Sequence, residues 1–114
     1  MNQEMEGFEE ELQALKESYA AQLPEKIALI DELWGVLVEQ GWDVESFNTL
    51  HRTVHSMAGS APVFGFTIMG KRARELEIEL KAISESGEPL SEDHYQALSS
   101  LVEAVRASAQ FSDG

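Results

Sequence analysis

The chain holds three histidines, His51, His55 and His94, and no cysteine. Histidine is the side chain whose ordinary titration straddles neutral pH, so a neutral, nucleophilic ring nitrogen is available there. His55 is the one whose position invites chemistry. It lies in the segment FNTLHRTVHSMAGSAPVFGF, Phe47 to Phe66. If residues 47–61 are helical, Phe47, Leu50, Val54, Met57 and Ala61 fall on one buried stripe. His55 then lies about 135° from the centre of that stripe, beside Asn48, Arg52, Gly59 and Pro62, with its imidazole in water. A glycine inside a helix costs about 1 kcal/mol relative to alanine, so Gly59, one turn beyond His55, implies close approach of another molecule to the backbone. His51 lies about 95° from the stripe centre, at its edge, and is expected to be structural or a secondary neighbour of the site. His94 reads as a surface histidine, and three scattered histidines make a weak metal case, so no metal site is expected.

Charge marks the same surface. No aspartate or glutamate occurs between Glu45 and Glu75, although the chain has 21 acids and a net charge of −13. The same window contains Arg52, Lys71, Arg72 and Arg74, four of the eight basic residues. One locally positive surface on an acidic protein suits an anion such as a phosphoryl group.

His55-Ser56-Met57-Ala58-Gly59-Ser60-Ala61, followed by Phe64-Gly65 and then Ala73-Arg74-Glu75-Leu76-Glu77, resembles the signature of histidine-containing phosphotransfer domains. The resemblance implies that His55 accepts and donates a phosphoryl group between the aspartates of receiver domains, as the intermediate of a two-component phosphorelay. It implies a response-regulator receiver domain and a hybrid histidine kinase as partners, with Mg²⁺ on the receiver domain and no cofactor on this chain. The phosphoryl and partner surface is expected to include Arg52, Ser56, Ala58, Gly59, Pro62, Lys71, Arg72 and Arg74. One position departs from the pattern: the family's usual lysine three residues after the histidine is Ala58 here. That departure frames the alternative, a helical interaction module that docks a receiver or another regulator without carrying phosphate.

The elements that must position His55 follow from periodicity. Met5, Phe8, Leu12, Leu15 and Tyr19 predict an amphipathic first helix. Pro24 suits the first turn of a second helix carrying Leu23, Ile27, Ile30, Trp34 and Leu37, with the junction open between a break and one kinked rod. Asp43 is placed to cap the helix of His55, which should end near Gly59 to Pro62. Phe66, Met69, Ala73, Leu76, Leu80 and Ile83 predict the next helix, and Ser91 caps a last one built on Tyr95, Leu98, Val102 and Val105. The expected fold is all-α, an antiparallel four-helix bundle with an additional N-terminal helix. It forms a single domain over residues 1–114 with an ordered core at about 5–109, residues 110–114 reading as a tail or the start of a linker.

Composition narrows the function classes. The chain has 43% apolar residues, no run long enough to span a bilayer and no basic-plus-apolar leader at its start, so a cytoplasmic monomer is expected. The net negative charge opposes binding to nucleic acid or to an anionic membrane. No GxxxxGK[ST] loop or kinase signature is present, so the chain is expected to carry phosphate rather than act as an enzyme with its own ATP site.

Overall fold

The structure, a computed structural model, describes residues 2–87 and 90–113, with residues 2–5 as backbone only. Among the described residues there are four helices and no strand: α1 (Asn2–Gln40), α2 (Val44–Ser60), α3 (Thr67–Ser86) and α4 (Glu92–Ser108). The fold is all-α, as the periodicities require.

The division of α1 into two helices does not occur. Tyr19, Leu23, Ile30 and Leu37 are all buried, so the apolar stripes on either side of Pro24 are one stripe in one phase. Pro24 and Ala20, whose carbonyl loses its helical partner at the proline, both lie on the exposed face, where water can satisfy that carbonyl. A break there would therefore gain nothing. Thirty-nine residues at the α-helical rise give a rod of about 58 Å. That rod sets the 60 Å long axis of a molecule only 22 by 21 Å in its other dimensions.

The expected burial of the N-terminal stripe is corrected as well. Phe8 is 67% and Leu15 56% exposed, because α1 is about twice as long as its partners and its first turns extend past them. Met5 lies outside the residues whose side chains are described. The core begins at Tyr19.

Helices α2, α3 and α4 follow their stripes. Phe47, Leu50, Val54, Met57 and Ala61 of the α2 segment are buried against Met69, Ala73, Leu76, Leu80 and Ile83 of α3 and against Leu98, Val102 and Val105 of α4. α2 packs on α1, α3 on α2, α4 on α3, and α4 closes back on α1. The end of α2 returns to the middle of α1, where the Tyr19 and Ser60 hydroxyls lie 3.0 Å apart. The start of α4 meets the end of α1 through Tyr95 Oη, which donates to the Leu37 carbonyl at 3.4 Å.

Local signals set the ends. Asp43 caps α2 by accepting from the Ser46 hydroxyl at 2.5 Å and from the Ser46 amide at 3.1 Å, and these bonds hold its carboxyl below the usual aspartate range. Ser91 and His94 form a capping box on α4, so His94 is a helix-start residue rather than a bare surface histidine. α2 and α3 are joined by a tight turn in which the Phe66 amide donates to the Ala61 carbonyl at 2.8 Å and Gly65 takes φ 91°. An L side chain rarely adopts that angle.

Residues 110–113, read from composition as a tail, fold back onto this turn. The Asp113 amide donates to the Gly65 carbonyl at 2.7 Å, and its carboxylate accepts from the Thr67 amide and hydroxyl. α3 has no capping side chain of its own at Phe66, so Asp113 satisfies one of its open amides from a distance of 46 residues.

Candidate functional site

α2 and α3 lie side by side because each presents small groups at the crossing. A Cβ built on Gly70 of α3 would stand 2.4 Å from Pro62 Cγ, so that glycine is what lets the turn and α3 approach closely. Sequence reading passed over Gly70 and singled out Gly59. A Cβ on Gly59 meets nothing within 4 Å, so nothing inside this chain requires a glycine there.

With the two helices in this register, His55 stands on the outer edge of the seam, its side chain 71% exposed as its position off the stripe requires. Its Nδ1 is hydrogen-bonded to Oε2 of Glu77 on α3. Glu77 is only 15% exposed, which excludes much of the water that would otherwise screen the contact. A carboxylate is an acceptor, so in the neutral ring the proton belongs on Nδ1 and the lone pair on Nε2. His51 lies one turn earlier, its Nε2 3.9 Å from the same Oε2. Phe47, His51 and His55 form a column of near-parallel rings, with centroids 6.2 and 6.4 Å apart.

Glu77 is the site residue that sequence reading did not pick out. It closes the Ala73-Arg74-Glu75-Leu76-Glu77 run of the signature without a site role there, and it lies at the margin of the α3 stripe, next to buried Leu76 and four residues after buried Ala73. Whether that margin meets His55 depends on how α2 and α3 slide past each other, which the Pro62–Gly70 contact settles.

The residues expected around the phosphoryl group fall into separate places. Arg52, Ser56, Gly59 and Pro62 are exposed on α2 and the turn after it. Arg52 and Ser56 also line an open groove between α1 and α2 with Lys26, Leu29, Thr49 and Thr53. Ala58 is half-buried and packs on the core, so it belongs to the helix contact more than to the open surface. Arg72 is engaged with Glu75 at 2.9 Å and lies about 140° around α3 from Glu77, facing away from His55. Lys71 is about 120° away from Glu77 and Arg74 about 60°, both exposed, so Arg74 is the member of that cluster nearest the site. The cluster does not act as one patch on the histidine.

Behind the site, Tyr19 stacks on Phe64 with centroids 4.8 Å apart, and burial holds its phenol above the usual tyrosine range. This packing fixes the end of α2 and the turn, and with them the rail on which His55 sits.

What the arrangement can do is limited and specific. One imidazole nitrogen is anchored by a carboxylate and the other is open. No helix is long and apolar enough to cross a membrane among the described residues. No curated protein and no solved structure matches the chain. The family model of the Hpt domain matches residues 3–108, and the chain therefore belongs to the Hpt domain family, which ties it to two-component phosphorelay signalling.

Proposed function

We propose that this protein is a phosphorelay intermediate that takes a phosphoryl group onto His55 Nε2 from an aspartyl phosphate of a receiver domain and passes it to another. The observation that carries the reading is the pairing of an exposed imidazole with a half-sheltered carboxylate through Nδ1. In the forward step the Nε2 lone pair attacks phosphorus. The bond from phosphorus to the aspartate oxygen breaks, and its electron pair leaves with that oxygen. The ring thereby gains a positive charge while Nδ1 keeps its proton, and the Glu77 carboxylate lies against the atom where that charge develops. Such placed electrostatic stabilisation is the main service a carrier can offer to phosphoryl transfer. The return step is the same path reversed.

The chain is read as a carrier without an ATP site, in an antiparallel four-helix bundle whose up-and-down path is supported by the returns of α2 and α4 to α1. Mg²⁺ and the acceptor aspartate belong to the partner. Arg52, Ser56 and Gly59 form the surface that a receiver domain covers, with Lys26 and Leu29 of α1 along its flank. Ala58, packed on the core where the family carries a lysine, favours the second reading, docking without phosphate.

One experiment separates the two. Incubation with a phosphorylated receiver domain should give acid-labile, base-stable label on the wild type and none on His55→Gln, with helicity and thermal midpoint nearly unchanged, since the position is exposed. A wild-type protein that binds the receiver domain and never acquires label would establish the docking reading instead.

A further inference from the structure

His51 is not part of the family signature, and three observations make it more than a bystander. Its Nε2 is buried and has no hydrogen-bond partner among the described residues. That nitrogen faces Glu77 Oε2, the atom that holds His55, at 3.9 Å. Its ring is fixed in that direction by stacking between Phe47 and His55.

A neutral imidazole has one N–H and one lone pair, and the question is which nitrogen carries the proton. A lone pair aimed at a carboxylate oxygen inside a water-poor seam is repelled, whereas an N–H at the same place is attracted. We infer that His51 carries its proton on Nε2 and is a positioning residue that, through Glu77, holds His55 in the opposite tautomer, Nδ1–H with Nε2 free. At 3.9 Å the contact is too long to be a direct hydrogen bond. It acts as a second positive pole that keeps the carboxylate turned into the seam. The inference rests on the phosphocarrier reading only for its consequence; the tautomers themselves do not.

The titratable groups around this point are few. α2 contributes His51 and His55, with Arg52 about 60° from His55, and α3 contributes Glu77, with Arg74 and Lys81 within about 60° of Glu77 on the helical projection. Among the described residues α1 and α4 contribute no ion pair or hydrogen bond to His51, His55 or Glu77.

The test is long-range ¹H–¹⁵N correlation spectroscopy of the imidazoles at a pH where both rings are neutral, on the wild type, His51→Phe and His51→Gln. Phenylalanine keeps the stacked ring without the N–H, and the glutamine amide places a donor near the lost Nε2. The wild type should show His51 protonated on Nε2 and His55 on Nδ1. In His51→Phe the His55 population should move toward Nε2–H by about fivefold, less than the roughly tenfold or more of a direct charge-assisted hydrogen bond because the contact is longer than one, and labelling by a phosphorylated receiver should slow to match. His51→Gln should restore both. Finding His51 protonated on Nδ1, or an unchanged His55 tautomer in a folded His51→Phe, overturns the inference. Tautomers that respond as stated in a protein that never takes label would overturn the phosphocarrier reading alone.

Discussion

Among the described residues two helix seams are crossed by charge, and they use it to different ends. Between α1 and α4, Arg106 donates across the seam to Asp31 at 2.5 Å and within α4 to Glu103 at 2.6 Å, in the open at the bundle surface. Its guanidinium, held above even its usual range by the Asp31 hydrogen bond, stays charged at every accessible pH and directs donors at both carboxylates. Between α2 and α3, Glu77 is sheltered and meets a histidine that has a second nitrogen to spare. The first seam saturates its charges and leaves nothing reactive. The second commits one nitrogen to the carboxylate and leaves the other without a protein partner among the described residues. An ion pair at a helix interface therefore says little about function until its unused atoms are counted.

That contrast can be broken most sharply at the carboxylates. Glu77→Gln keeps size and an acceptor but removes the charge, and transfer from a phosphorylated receiver should slow by about tenfold, the difference between a charge-assisted and a neutral hydrogen bond. Arg106→Ala at the other seam should leave that rate unchanged and alter stability by less than about 1 kcal/mol, as exposed ion pairs do. Equal effects of the two variants on the rate would erase the distinction.

A smaller effect is expected from the cations. Arg52→Ala should slow transfer by a few-fold, more than Lys71→Ala, Arg72→Ala or Arg74→Ala, because Arg52 shares the exposed face of α2 with His55 and has no ion-pair partner among the described residues. If Arg74→Ala is the slowest of the four, the charge that meets the phosphoryl group comes from α3, where Arg74 is closest to Glu77.

The two glycines should part company. Gly70→Ala drives a methyl into Pro62 and should cost about 1 to 3 kcal/mol in a denaturant titration. Gly59→Gln has free space, so it should hold or raise stability, since glutamine is the better helix former, and slow only the step in which a partner approaches. Transfer at the original rate would remove the reason for that glycine.

The smallest effect is at the start of α2. Asp43 titrates below its ordinary value because Ser46 hydrogen-bonds its charged form. A depressed carboxyl contributes stability that is complete above the unfolded-state value and is lost as the pH falls through the folded one. Fraying of the first turn of α2, followed by amide exchange, should thus begin only in acid below the usual aspartate range, and Asp43→Ala should show the frayed turn at neutral pH.

How far the sequence reached depends on distance along the chain. The stripes of α2, α3 and α4 were legible because each is set by local periodicity, and every stripe residue named for α2 and α3 is buried. The exposed place of His55 followed from the same arithmetic. α1 was less legible: Pro24 signals a helix start, and only the common phase of Tyr19, Leu23 and Ile30 shows that the rod runs on. The N-terminal stripe misled because periodicity says that a face is apolar, not that another helix is long enough to cover it. The contacts made by Glu77 and Asp113 were out of reach for a third reason. Each acts on a residue 22 or 46 positions away, and only the packing of helices brings them there.

The central claim is that Nδ1 of His55 is reserved for Glu77 and Nε2 takes the phosphoryl group. The direct measurement is ³¹P and ¹⁵N spectroscopy of ring-labelled protein after phosphorylation by a receiver domain, which reports the nitrogen bonded to phosphorus. The account predicts a single phosphohistidine, at His55, with phosphorus coupled to Nε2 and a proton retained on Nδ1. Phosphorus coupled to Nδ1, or label on His51 or His94, would contradict it.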